Sequence, residues 1–477
     1  MKPLVLLIAA AFSLCATGAL GQFFPGQSAN LVLGPPDFTS IEPFTASQSA
    51  MDFPGGVAVD PVSGKVFVSI SEHHRVLRFA NLSSLVNGAI AEAVIGQTSY
   101  TDTVQDTTAT NFRFPGGIDV DHRGRLWVAD FENNRVLMFN DAANLPEFGA
   151  SANLVLGQQD AITGDPGTSR TQMSGPSGVH VDADENLWVA EYWNNRVLKF
   201  ANVSSLKTGA PAQRVLGQPD FDTDVPGTSI SELREAVAVI VDSAGRLWVA
   251  DQGNNRVLRF DRASRLANGA SADGVLGQAD FDTDTPGSTP QKLNLPSALA
   301  IDRSGSLYIA DSGNNRVLFH KQPSSKPNGA SADGVVGQTD LTTVTEDTTS
   351  QKLAGPTGGV DFDREGNLWL ADSGNNRVLR FSGDWSISSP LIKGKVPKLV
   401  QGRKLSLKGT AADPSGVAEV LFRIGKGTFK TATGTTAWSL SLKLKPGKNK
   451  IEVVVVDGAG NVSLPKVLRV RASRVTR

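Results

Sequence analysis

The chain is predicted to be all-β: a six-bladed β-propeller whose ring is closed by its own N-terminal strand, followed by a small β-sandwich. Three observations carry this. An Arg-Val-Leu segment recurs at Arg75, Arg135, Arg196, Arg256, Arg316 and Arg377, at spacings of 60, 61, 60, 60 and 61 residues. A lone strand-like run, Asn30-Leu31-Val32-Leu33-Gly34, precedes the first unit, while the sixth unit stops after its third strand. Beyond residue 388 the repeat gives way to basic, alternating strands. A fixed period of this length marks a repeat architecture, and 48 glycines and 25 prolines supply the turns that many short strands need.

Each unit reads as four strands. The first is an alternating run such as Gly117-Ile118-Asp119-Val120-Asp121, ended by an Asp and a Gly three residues apart (Asp121 and Gly124, Asp242 and Gly245), as a type I turn requires. The second carries one bulky ring, at Phe67, Trp127, Trp188, Trp248, Tyr308 and Trp369, to fill the space between neighbouring sheets. An Asn pair such as Asn133-Asn134 tolerates left-handed backbone and sets a tight hairpin before the third strand, Arg-Val-Leu-x-Phe. The fourth is the Val-Leu-Gly-Gln run, as at residues 215–218. The lone N-terminal run then completes the sixth unit, which leaves no sheet edge exposed. Asp130, Glu191, Asp251, Asp311 and Asp372 recur once per unit and are expected to pair with the repeated arginines.

Residues 1–21 read as a signal peptide: Lys2, an apolar run over 4–15 that is shorter than the roughly 20 residues a bilayer needs, then Ala19-Leu20-Gly21. Leu14 ahead of Cys15 argues against a lipoprotein cleavage site, and Cys15 is the only cysteine, so no disulfide is expected after export. No other stretch is long and apolar enough to be a transmembrane segment. The expected location is secreted, periplasmic or cell surface. Residues 28–383 form the propeller and 388–473 the sandwich.

Charge divides the chain. From residue 388 onward there are 18 Lys and Arg against 4 Asp and Glu, and before it 28 against 43. An acidic, exported propeller repels phosphate, which excludes nucleic acid as its partner. The basic segment suits an anionic envelope polymer, or its own acidic propeller. Its strands alternate, as in Trp438-Ser439-Leu440-Ser441-Leu442, with one wet face.

The Ala-Asp-Ser-Gly-Asn-Asn-Arg-Val-Leu segments at 310–318 and 371–379 resemble the NHL-repeat family. The resemblance covers residues 28–383, implies a six-bladed propeller, and extends to the longer bacterial variety with a Thr/Asp-rich loop such as 220–231. The C-terminal segment is similar to bacterial immunoglobulin-like modules through its Asp-Gly-Ala-Gly-Asn turn at 457–461.

Functional candidates follow from the loops. In a propeller the inter-blade loops and the turns between second and third strands share one face around the channel mouth, and here the loops run to around fifteen residues, as at 219–233. The turns of the first three blades carry Glu72 and His73, Phe131 and Glu132, and Tyr192 and Trp193, where later blades have Gly; with Arg234 they form a candidate ligand-binding rim. Aromatics beside carboxylates suit a peptide or a glycan, or else fold over neighbouring loops. The middle of each innermost strand holds Ala58, Asp119, His180, Ile240, Ala300 or Asp361, and Glu235 leads into the fourth. Asp119, His180, Glu235 and Asp361 are candidate catalytic residues, by acid/base chemistry or through a divalent metal such as Ca or Zn, or else hydrogen-bonded packing residues. NHL-like amidating lyases place a metal-binding His at the residue leading into a blade, where this chain has Phe53, Phe114, Gly175, Glu235, Leu295 and Gly355, so no histidine triad is available. Asp220, Asp222 and Asp224, repeated as Asp280, Asp282 and Asp284, offer alternating carboxylates for calcium, or form a solvated loop. No cofactor is otherwise expected. The leading expectation is an exported, non-catalytic binding or scaffold protein for a peptide or glycan; the alternative is a lactonase-like or amidating-lyase-like lyase or hydrolase.

Overall fold

The computed structural model describes residues 23–41, 44–383, 390–401, 403–412, 417–425, 427, 429–457, 463 and 466–473. The signal peptide expected at 1–21, and residues 458–461 of the expected turn, lie outside them. Among the described residues no helix is long and apolar enough to cross a membrane. The chain divides into a unit over Pro25–Ser382 and a second unit that holds the residues from Gly383 onward.

Within Pro25–Ser382 the described residues form six four-stranded antiparallel sheets. Sheet I contains Pro54–Val59, Lys65–Ile70, Arg75–Asn81 and Ala93–Ile95; sheet II Pro115–Val120, Leu126–Asp130, Arg135–Phe139 and Leu154–Leu156. Sheet III contains Pro176–Val181, Leu187–Glu191, Arg196–Phe200 and Arg214–Leu216; sheet IV Ala236–Val241, Leu247–Asp251, Arg256–Phe260 and Gly274–Leu276. Sheet V contains Pro296–Ile301, Leu307–Asp311, Arg316–His320 and Gly334–Val336. Sheet VI takes Val360–Phe362, Leu368–Asp372 and Arg377–Phe381 from its own repeat, and its fourth strand is Leu31–Leu33. That strand runs antiparallel to the third, with Leu31 opposite Arg380, Val32 opposite Leu379 and Leu33 opposite Val378. The six innermost strands touch in cyclic order, the sixth against the first. The N-terminal strand behaves as a fourth strand in a further respect: Val32 accepts the Gly88 N–H of the next sheet's outer loop, as Val155, Val215 and Val275 accept Gly209, Gly269 and Gly329.

The ring is tight because its inner strands are small. A Cβ added at Gly178 would run into the Val237 carbonyl of the next inner strand, and one at Gly359 into the Val57 backbone. Between sheets the gap is filled by the repeated rings: Trp127, Trp188, Trp248 and Trp369 are almost fully buried. Trp127 packs on Val179 and Leu187 of the following sheet. Each indole N–H also needs a partner once buried, and the turn Asp supplies it: Trp127 Nε1 donates to Asp121 at 2.9 Å, Trp188 to Asp182 at 2.9 Å and Trp369 to Asp363 at 3.0 Å. The turn residue thus joins two strands and anchors the inter-sheet ring, a double role the turn motif alone does not reveal.

The repeated carboxylates hold the repeated arginines. Arg135 Nε donates to Asp130 at 2.7 Å, and the pairs Arg196–Glu191, Arg256–Asp251, Arg316–Asp311 and Arg377–Asp372 repeat it with no exposure. Asn133 and the Arg113 N–H also donate to Asp130, and the far end of the Arg135 guanidinium ties down loop carbonyls at Thr108, Asn111 and Ala161. Sheet I departs from this. Ile70 stands opposite Arg75 where the others have an acid, and burial without a carboxylate pulls the Arg75 guanidinium down to about 10.

The fourth strands end two residues earlier than the Val-Leu-Gly-Gln run suggests, because the Gly turns left-handed (Gly217 φ 85°). The Gln then leaves the sheet to pin the inter-sheet loop: Gln218 Nε2 donates to the Asn195 and Val225 carbonyls, and Gln97, Gln158, Gln278 and Gln338 do the same in their sheets.

The second unit contains a three-stranded sheet (Leu391–Lys393, Lys404–Thr410, Ala437–Lys443) and a five-stranded sheet (Leu399–Val400, Lys466–Ala472, Gly447–Asp457, Val417–Ile424, Lys430–Thr431). Leu405, Leu407, Trp438 and Leu440 of one share a core with Val420, Ile451, Val453 and Val470 of the other.

Candidate functional site

The mouth of the propeller is built on one repeated and unusual backbone position. The residue leading into each inner strand is left-handed in every sheet: Phe53 (φ 54°), Phe114 (55°), Gly175 (58°), Glu235 (55°), Leu295 (53°) and Gly355 (48°). Each is pinned by the preceding sheet, whose left-handed turn Asn accepts its N–H: Asn134 from Gly175, Asn195 from Glu235, Asn255 from Leu295, Asn315 from Gly355, and Asn376 from Phe53 across the ring closure. His74 takes the Asn place in sheet I and accepts the Phe114 N–H through Nδ1 at 3.1 Å. The left-handed conformation costs a side-chain-bearing residue roughly 1–2 kcal/mol, yet four of the six positions carry one.

His74 must keep Nδ1 unprotonated to accept that bond. Burial lowers its pKa below the ordinary imidazole value; Glu132 pulls the other way, while His73 and Arg113 reinforce the lowering. A lowered imidazole pKa gives stability that is whole above the unfolded value of about 6.5 and is lost as pH falls through it. His74→Asn should therefore make stability fall less steeply between pH 7 and pH 5 than in the unaltered protein, read by thermal melts at each pH. Equal slopes would contradict the assignment.

Around the mouth an aromatic corner rises on the side of sheets I to III. Phe53, Phe114, Phe131 and Tyr192, with Gln252 opposite, border a cavity of about 260 Å³ whose deeper wall is the small residues of the inner strands. Phe131 meets Phe114, Tyr192 and Trp193 at centroid distances of 6.4, 6.1 and 6.1 Å, and Tyr192 meets Trp193 at 4.7 Å and 86°. Gly175 leaves the room that the Trp193 indole occupies. Trp193 nevertheless remains 58% exposed, and Phe53 and Leu295 are also exposed.

Carboxylates frame the corner. Glu132 pairs with Arg113 at 2.7 Å, and Arg234 reaches Asp284 at 3.4 Å. Burial first, then Asp52 and Glu132, push the Glu72 carboxyl up. Burial and the Glu235 charge push up the Tyr192 phenol. His73, expected on this rim, is instead buried with Nε2 on the Phe44 carbonyl at 2.9 Å, because it takes the place of the inward-turned first Asn of the other hairpins.

Away from this corner, Asp119 and His180 come together, and Asp361 lies within electrostatic reach of Asp119. Asp119 Oδ2 accepts the Val181 N–H at 2.8 Å and lies 3.5 Å from His180 Nδ1. Asp361 accepts the Val59 N–H at 2.7 Å, and its carboxyl is pushed up to about 7, chiefly by burial and further by Asp119. Glu235 does not join them. It lies five residues above Ile240, the counterpart of His180, about 16 Å along an extended strand. Among the described residues no three of His, Cys, Asp and Glu converge as a metal-binding group. The leading carboxylate of each Asp-rich loop is used within the loop, Asp220 accepting the Asp222 N–H and Asp280 those of Asp282 and Thr283, while Asp284 pairs with Arg234. Asp222 and Asp224 are exposed. Sequence reasoning passed over Phe53, Phe114 and Leu295 as mouth residues; bulky apolar groups at a repeat position where two other units carry Gly were the available signal.

Residues 39–319 match the Teneurin NHL domain. Human Teneurin-4 is 24% identical over 432 residues, covering 80% of this chain and 15% of that protein, and mouse Teneurin-3 is 23% identical over 289 residues, covering 55% and 10%. The chain thus spans about 15% of the length of the first of these curated relatives. Among solved structures, it is similar to a streptogramin B lyase (TM-score 0.41, 12% identity, 70% of this chain and 95% of that one) and to virginiamycin B lyase from Staphylococcus aureus (0.40, 13%, 72% and 99%). With the repeated four-stranded sheets in place and more than half of its length matched, the chain is an NHL β-propeller protein and belongs to the Teneurin NHL domain family.

Proposed function

We propose that the protein is an exported binding module: a six-bladed propeller whose mouth docks a protein or peptide partner at the aromatic corner, carried with an immunoglobulin-like, basic C-terminal unit that attaches to anionic envelope polymer. The observation that carries the docking reading is the ring cluster in which the half-buried Phe131 and Tyr192 seat the exposed Trp193 beside Phe53 and Phe114, the last two held at left-handed positions. Exposed, rigidly seated Trp and Tyr are the side chains that dominate binding energy at protein interfaces. The lyase or hydrolase reading has less behind it, since its four candidates do not converge.

A random peptide library selected on the immobilised protein tests this. Enriched peptides are expected to lose about 30-fold in affinity against Trp193→Ala, as a contact worth about 2 kcal/mol would. Equal affinity for both proteins would end the docking reading. Export is checked separately by N-terminal sequencing of the processed protein, with a start near residue 22 expected.

A further inference from the structure

The aromatic corner is electrostatically unbalanced. Arg113 and Arg234 are the cations nearest it, and each already has a carboxylate, Glu132 and Asp284. Among the described residues no ion pair engages Glu72 or Glu235. His73 is held neutral by burial, so it does not offset the nearby Asp52. Beyond burial, the charges of Asp52 and Glu132 push up the Glu72 carboxyl, and the Glu235 carboxylate, hydrogen-bonded to the neutral Tyr192 phenol, keeps its charge beside the rings. Unmatched negative charge therefore lies on both flanks of a set of aromatic rings.

The rings themselves favour the same sign. Tyr192 and Trp193 stand at 86°, and Phe131 is inclined to them at 62° and 54°, so they meet as the walls of a corner rather than as a stack. Aromatic faces carry negative quadrupole charge and attract a cation within about 6 Å of the centroid. An apolar group seated here would strip water from Glu235 and Glu72 without replacing it. An anion would meet both the carboxylates and the ring faces.

We infer that the corner takes a cationic side chain, an Arg or Lys of a protein partner, seated against Phe131, Tyr192 and Trp193 with Glu235 on one flank and Glu72 on the other. This deepens the docking reading and rests on it. A planar guanidinium can stack on one ring while its N–H groups reach a carboxylate at its edge, which makes Arg the better fit of the two. The channel cavity, about 260 Å³, then receives whatever flanks the anchor.

The test uses five heptapeptide mixtures on the full chain, identical except for a central Arg, Lys, Leu, Phe or Glu, measured by fluorescence anisotropy. The Arg and Lys mixtures are expected to bind at least tenfold more tightly than the others, to weaken as salt rises from 0.05 to 0.5 M, and to lose at least tenfold in both Trp193→Ala and Glu235→Gln. Unchanged melting temperatures of the two variants show that the loss is one of contact. If the Leu, Phe or Glu mixtures bind as tightly and are lost in Trp193→Ala, the docking reading stands and the cationic anchor is overturned. If no mixture binds in a Trp193-dependent way, both are overturned.

Discussion

Arg135→Met is expected to lower the stability of the propeller by about 3–5 kcal/mol, the range found when one partner of a buried ion pair is removed. The guanidinium is fully buried against Asp130 and also satisfies three loop carbonyls. Burial already pushes the Asp130 carboxyl up with the arginine in place; without it the carboxylate must take up a proton or remain unpaired. A carboxyl whose folded pKa is raised stabilises below its unfolded value, and that stability is lost as pH rises. The deficit of the variant should thus be largest near neutrality and shrink as pH falls toward 4. Arg75→Met is expected to cost less than half as much, because Ile70 leaves no buried carboxylate behind. Denaturant titrations of the two variants at pH 4 and pH 7 check both statements. Equal losses at the two sites would mean that the loop carbonyls, not the ion pair, set the cost.

Leu33→Asp is expected to cost at least about 4 kcal/mol, because it places an unpaired carboxylate in a dry core. Leu33 has no exposure and shares one core with Leu31, Trp369 and Val378 of sheet VI, Val66 of sheet I and Met51 just ahead of sheet I. The change therefore weakens both the last sheet and its contact with the first. Val86→Asp, at a residue 66% exposed, should leave the melting temperature unchanged. A mild effect of Leu33→Asp would indicate that the ring closes without its N-terminal strand.

Much of the fold was legible because repetition separates structure from accident. The third strands, Arg135–Phe139 and its counterparts, coincide with the Arg-Val-Leu-x-Phe motif, and the acid-arginine pairing followed from its recurrence. The strand boundary at Gly217 and the bond from the Trp127 indole to the turn residue Asp121 were not legible, since only packing shows where the Gly leaves the sheet and which ring the carboxylate meets. At the site, Phe131, Glu132, Tyr192, Trp193 and Glu72 could be placed on the rim because they break the pattern of their own repeat. His73 breaks it equally and faces inward, so departure from the repeat does not give direction. The left-handed backbone that presents Phe53 and Phe114 is invisible in the sequence, because neither residue is one that favours it.

The pairing of Leu31–Leu33 with Arg377–Phe381 holds the mouth together, and cross-linking tests it most directly. In a Cys15→Ser background, Leu31→Cys with Arg380→Cys places two thiols on directly opposed residues of the N-terminal and sixth-repeat strands. Treatment with a short bifunctional thiol reagent is predicted to give one intramolecular cross-link between positions 31 and 380, found by mass spectrometry in monomeric protein. Absence of that link, or a link only between separate chains, would contradict the closed ring.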